Sequence, residues 1–238
     1  MMKTVVISGN EYPATAALVQ SALDAEKNVM VAVSDSNTEI QTPGNEATSY
    51  VWHKTSPVSA RSLLLEAENK FESIDCGFIV FDSEVFFSKF NVFTLENISR
   101  GNDEMLVSMQ YLTYEFIKRF ELAKKGMLCF VLNPVMSIAE ITRNVRSAQN
   151  AAPLTALTAA AEAAFRAFAE NIAAVSVGKA YKTLLVERGI EDREIFSKWL
   201  IAYADQYYTV KKKISAKDSI KWLRSGAKSP ASRSFFSR

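Results

Sequence analysis

Few side chains in this sequence are equipped for chemistry. The single histidine, His53, closes the β-like run Tyr50–His53 and has no Ser, Cys or metal-ligand neighbour in sequence to work with. It reads as a hydrogen-bonded strand-end imidazole. Cys76 and Cys129 lie in apolar, strand-like runs without metal-ligand spacing, so buried free thiols in a reducing compartment are expected and no metal site is. Asp82 and Glu84 follow the apolar run Gly77–Phe81, and such a pair would repel a pyrophosphate placed beside it. Asp35 follows the second apolar run, where a carboxylate could meet a ribose or simply cap a turn. With only 8 glycines in 238 residues, the chain is short of the residue that lets a backbone approach phosphates closely.

The elements that would position these groups can be read from periodicity. Thr4–Ser8 (TVVIS) and Asn28–Val33 (NVMVAV) are β-branched apolar runs suited to buried parallel strands, separated by a helical stretch. That is a βαβ unit. Residues 36–49 are polar, carry Pro43 and Gly44, and read as a surface loop. A third strand at Tyr50–His53, a helix at Ser59–Glu72 and a fourth strand at Gly77–Phe81 follow. Beyond a Phe-rich segment, Glu104–Lys125 reads as an amphipathic helix with Leu106, Met109, Leu112, Phe116 and Phe120 facing inward. Gly126–Leu132 is the fifth strand. The run Leu154–Ile172 (LTALTAAAEAAFRAFAENI) holds ten Ala or Leu residues and no Gly or Pro, with an apolar stripe of Leu157, Ala161, Ala164, Phe165 and Phe168. It is a buried helix, opened by Pro153. A sixth strand at Ala173–Val177, helices at Ala180–Arg188 and Asp192–Ala204, and a last strand at Tyr207–Ser215 complete the reading. The expected fold is α/β: a single Rossmann-type doubly wound parallel sheet with helices on both faces, over residues 1–215.

The run at 154–169 resembles the active-site helix of the short-chain dehydrogenase/reductase family, written there as YSASKAALEGLTRALA. The likeness passes through Ala156, Ala159, Ala160, Glu162, Arg166, Ala167 and Ala169. The family's catalytic Tyr and Lys are replaced by Leu154 and Thr158, and Asn133 stands where its Ser would end the fifth strand. Ser137, close by, has neither partner to polarise. In the family's phosphate turn, TGxxxGxG, Ser8 and Gly9 match the first two residues but Pro13 and Thr15 replace the later glycines. Pro supplies no N–H and Thr adds bulk where a phosphate would lie. The tetrapeptide NNAG after the fourth strand is here Phe81–Glu84. Asn97 is a loose match to a supporting Asn of the family. The resemblance therefore implies the family's fold with its catalyst lost, because leucine exchanges no proton and threonine carries no fixed charge.

Three readings follow. The first is a non-catalytic member acting as a binding or oligomeric scaffold, with no cofactor expected. The second is an NAD(P)-dependent oxidoreductase with an atypical site, holding its cofactor near Gly9 and Asp35 and using Tyr12, Tyr181 or Tyr203 as proton donor. The third is a regulatory partner of an active paralogue. The resemblance also implies a homodimer or homotetramer through the helices near 104–125 and 154–172. No apolar run is long enough for a membrane span, the N-terminus lacks a signal-like segment, and a cytoplasmic protein is expected. Residues 211–238 hold nine basic residues against one acid, Asp218, a net of +8 that leaves the rest at −6. Residues 216–238 read as a basic, Ser-rich tail. It could lie solvated or dock on its own acidic body or a neighbouring subunit, bind a protein partner through Phe235 and Phe236, or bind nucleic acid or anionic lipid.

Overall fold

The computed structural model describes residues 1–33, 47–135, 155–210 and 215–228. Its strands are β1 (Thr4–Tyr12), β2 (Asn28–Val33), β3 (Thr48–Val51), β4 (Cys76–Asp82), β5 (Met127–Asn133) and β6 (Lys182–Glu187). They form one parallel sheet in the order β3-β2-β1-β4-β5-β6, which is the expected Rossmann-type architecture. The helices are α1 (Ala16–Asp24), α2 (Pro57–Phe71), α3 (Ser83–Lys89), α4 (Leu95–Asn102), α5 (Ser108–Ala123), α6 (Ala156–Val175), α7 (Arg193–Thr209) and the short α8 (Ala216–Ser219). A π-helical turn, Asp103–Val107, joins α4 to α5.

Strand alternation sorts side chains to the two faces. In β4, Cys76, Phe78 and Val80 point to the layer made by α1 and α7, while Ile79 and Phe81 point to that of α2, α5 and α6. β5 repeats the division, with Met127, Cys129 and Val131 on one side and Leu128, Phe130 and Leu132 on the other. Both faces are covered, so these strands read as unbroken apolar runs. The α6 stripe contributes Leu157, Ala161, Phe165, Ala169 and Ala173, and Phe165 lies 5.0 Å from Phe81 and 5.8 Å from Phe130 between ring centroids. Phe116 packs over Gly77, where a Cβ would come within 2.5 Å of its ring. Of the expected inward residues, Met109, Leu112, Phe116 and Phe120 are buried on α5 as read, while Leu106 lies in the π-helical turn and is only half-buried.

Three expectations for the C-terminal third are corrected. Ala173–Val175 are helical, because the four-residue stripe Phe165, Ala169, Ala173 carries α6 past the expected strand start. Ala180–Arg188 contains strand β6 instead of a helix. Thr183, Leu184, Leu185 and Val186 are all buried, as a strand covered on two faces requires. Tyr207–Thr209 end α7 and form no strand; the Lys182 ammonium caps this helix by donating to the carbonyls of Tyr207 (2.7 Å), Tyr208 (2.7 Å) and Val210 (2.5 Å).

The outer edge of β6 is instead met by Leu223. Its N–H donates to Leu185 O at 2.9 Å, and its carbonyl accepts from Glu187 N–H at 2.8 Å, a single parallel bridge. Trp222 anchors this segment: its indole N–H donates to Glu170 at 2.7 Å, and its ring lies 4.9 Å from the Arg166 guanidinium. The bridge partly occupies an otherwise open sheet edge. Among the described residues, no helix is long and apolar enough to cross a membrane.

Candidate functional site at the carboxyl edge of the sheet

The strand order reverses between β1 and β4, and the carboxyl ends of the strands beside that point frame the crevice where open α/β sheets place ligands. Pairing of β1 with β2 runs regularly to Ile7 and resumes only at Tyr12, so residues 8–11 bulge at this edge. Gly9, at φ +93°, packs against β4 so closely that a Cβ would lie 2.4 Å from Val80 O. Asn10 is buried and its Oδ1 accepts from Asp82 N–H at 2.6 Å. In the turn that leads to α1, Ala14 N–H donates to Glu11 O and Ala16 N–H to Pro13 O, both at 3.0 Å. Those amides are thus committed within the turn. Thr15 is 3% exposed, in the N-cap position of α1, yet caps nothing with its side chain.

Across the edge runs a charged network. Asp82 is buried at the end of β4, and its Oδ1 caps α3 by accepting from the N–H groups of Glu84 (3.2 Å) and Val85 (3.3 Å). Its Oδ2 accepts from Asn133 Nδ2 at 3.0 Å and from Arg193 Nη1 at 2.6 Å. Arg193 also donates to Glu84 Oε2 at 2.9 Å. Burial by itself would lower the Arg193 pKa, but Asp82 and Glu84 outweigh it and hold the guanidinium above its ordinary value. Behind this network, Ser83 donates to Glu162 of α6 at 2.5 Å. Thr158, fully buried, lies 3.1 Å from Thr155 between hydroxyl oxygens, one turn into α6. Farther along the edge, Glu187 pairs with Arg166 at 3.1 Å and with Arg224 at 2.8 Å. At the β1 side, the buried ammonium of Lys54 meets Glu11 at 3.1 Å, and desolvation lowers its pKa in spite of that partner.

Of the residues singled out from sequence, Gly9, Pro13, Thr15 and Asn133 come together at this edge, with Thr158 behind them on α6. Asp35, Ser137 and Leu154 lie outside the described residues. His53 is exposed just past β3, and Asn97 sits in the first turn of α4, bonded to Val92 O at 2.8 Å. Tyr12 lines an open cleft of about 850 Å³ between the start of α1 and the β6–α7 connection, with Pro13, Ala17, Arg188 and Arg193. Tyr181 precedes β6 at the opposite, amino edge of the sheet and packs near Phe120, and Tyr203 is buried on α7 between Trp199 and Tyr207. Neither reaches the crevice. Cys76 and Cys129 are buried in the sheet, where desolvation pushes both thiols up.

Sequence reading missed Asn10, Glu162, Arg188 and Arg193. One signal was available for Arg193: a cation in the first turn of a helix opposes the macrodipole, and so implies a carboxylate from elsewhere.

No protein-family model matches the chain, and no curated protein is similar to it in sequence. Solved structures share its fold. One is a short-chain dehydrogenase from Streptomyces avermitilis, 14% identical over 81% of this chain and 67% of that one, with a TM-score of 0.56. Another, from Aeromonas hydrophila subsp. hydrophila, carries the name of a short-chain dehydrogenase/reductase family oxidoreductase. It is 13% identical over 90% of this chain and 95% of that one, with a TM-score of 0.69. Serine dehydrogenase from Escherichia coli is 12% identical over 93% and 96%, with a TM-score of 0.63. At such identities the likeness is one of architecture: this chain shares the fold of these solved structures.

Proposed function

We propose that this chain is a non-catalytic protein of short-chain dehydrogenase/reductase type that acts as a binding or oligomeric scaffold. The observation that carries the reading is the Asp82–Arg193–Glu84 ion-pair network, which pairs three charges at the crevice with one another. A dinucleotide fits these residues poorly. Pro13 and Thr15 replace small, N–H-bearing glycines, the turn amides of Ala14 and Ala16 are already bonded, and Glu84, Glu191 and Glu194 line the cleft. At the position of the family's Lys, Thr158 is buried and hydrogen-bonded to Thr155, and it brings no cation. As a scaffold the chain offers exposed apolar side chains on its helices, among them Tyr114 and Leu122 of α5 and Val175 of α6, consistent with a homodimer or homotetramer.

A second reading, an NAD(P)-dependent oxidoreductase with an atypical site, draws on Tyr12, which lines the large cleft and could stand as a proton donor there. Isothermal titration of the full chain with NADH and NADPH separates the two. The scaffold reading expects no binding up to about 1 mM, whereas a micromolar dissociation constant for either cofactor overturns it.

A further inference from the structure

Among the described residues, three buried polar atoms at the carboxyl edge have no hydrogen-bond partner: Thr15 Oγ1, Asn133 Oδ1 and Arg188 Nε. All three residues line one small cavity of about 20 Å³, floored by Val80 and Val131 and walled by Phe196. Native proteins leave few such groups unmet, and three around one space point to a ligand group or a bound water. The cavity adjoins the large cleft, since Ala14, Ala17, Arg188 and Arg193 line both. A molecule lying in the cleft can therefore pass one small group inward.

The chemistry of that group follows from the three atoms. Asn133 gives its amide N–H to Asp82 Oδ2, which fixes the amide orientation and leaves Oδ1 as an acceptor. Arg188 Nε is a donor, and its guanidinium is held in place by an Nη1 bond to Glu191 O at 3.2 Å. Thr15 can do either. A carboxylate or phosphate oxygen would satisfy Arg188 but face Asn133 Oδ1, with the Asp82 carboxylate next to it. An ammonium would satisfy Asn133 but meet two guanidinium groups. A hydroxyl donates to Asn133 and accepts from Arg188 and Thr15 together, and it fits a volume of this size. The surrounding cleft mixes Glu84, Glu191 and Glu194 with Arg188, Arg193 and Lys198, a lining suited to a hydrophilic ligand. We propose that the crevice is a binding site for a small neutral polyhydroxy compound, a sugar or sugar alcohol, one hydroxyl of which enters the Thr15–Asn133–Arg188 cavity in place of a water. This goes beyond the scaffold reading and does not rest on it, since the cofactor titration and a polyol titration can succeed or fail separately.

The test is ligand-observed NMR and calorimetry of the full chain with glucose, sorbitol and myo-inositol. Concentrations stay below about 20 mM, under the range in which polyols act by exclusion from protein surfaces. At least one is expected to bind. Thr15→Val, which swaps an unpartnered buried hydroxyl for a methyl group, is expected to keep the thermal midpoint while weakening that binding about tenfold. Arg188→Lys keeps the charge but removes the Nε donor, and is expected to weaken it likewise. Absence of binding by all three compounds leaves a water-filled cavity and overturns the proposal. So does binding that is unchanged in both variants.

Discussion

Asp82, the last residue of β4, and Arg193, the first of α7, meet at 2.6 Å although 111 residues separate them. The carboxylate is almost wholly buried and also caps α3, so this contact couples a central strand, a helix start and the far C-terminal layer. Removing the cation strands a buried charge. Arg193→Met is expected to cost about 2–3 kcal/mol, less than a fully buried pair because the guanidinium is a third exposed. Adding Asp82→Asn should recover much of the loss, since asparagine still caps a helix. Urea unfolding of the single and double variants measures the coupling, and strictly additive losses would refute it.

Gly9 and Gly178 share a positive φ, +93° and +82°, but differ in surroundings. Around Gly178 nothing lies within 4 Å of a new Cβ, whereas at Gly9 the Val80 backbone does. Gly178→Ala should therefore cost only the backbone strain, about 1 kcal/mol. Gly9→Ala adds a clash that a central strand cannot relieve, and should cost about 3 kcal/mol or more. Equal thermal midpoints for the two variants would contradict this account.

Trp222 holds residues 215–228 to the body by its bond to Glu170 and its contacts with Phe165 and Arg166. Trp222→Ala should destabilise the protein by about 2 kcal/mol. It should also speed tryptic cleavage after Lys221 and Arg224, read by mass spectrometry. Cleavage at the wild-type rate would show that Leu223 and the Arg224–Glu187 pair suffice.

Alkaline pH should destabilise the fold through its buried acids. Desolvation raises Cys76 and Cys129 above 9.0, and Tyr207 and Tyr208 above 10.0, so the unfolded chain loses these protons first. Their contribution is whole below 9.0 and falls as pH climbs past 9.0 and then 10.0. Lys54 and Lys182 act with the opposite sign: both are lowered by desolvation, so their cost is relieved as pH rises from their depressed values to 10.5. The acids prevail, because the two thiols are wholly buried whereas Tyr208 and Lys182 are more exposed and weigh less. Urea midpoints that hold steady or rise between about pH 9 and 11 would oppose this balance.

How far the chain can be read without its structure differs between its two ends. Through β5, hydrophobic period decided most of the answer. The β-branched runs of β1 and β2 and the apolar runs of β4 and β5 announce buried parallel strands, and the stripe from Leu157 to Phe165 announces α6. Such patterns are local consequences of which faces are covered, so they survive in sequence. They blur where one pattern shades into another: Ala173–Val177 has strand-like residues but extends a helical stripe, and Thr183–Val186 reads as helix but forms a strand. The outer contact of β6 is still less local. Leu223 bridges to it because Leu185 and Glu187 present unpaired backbone groups there, a property of the assembled sheet. The site divides in the same way. Pro13, Thr15, Asn133 and Thr158 could be marked by their mismatch to a resembled family. That Arg193 answers Asp82, and that Thr15, Asn133 and Arg188 surround one cavity, depends on distances between elements far apart in the chain, which only tertiary packing sets.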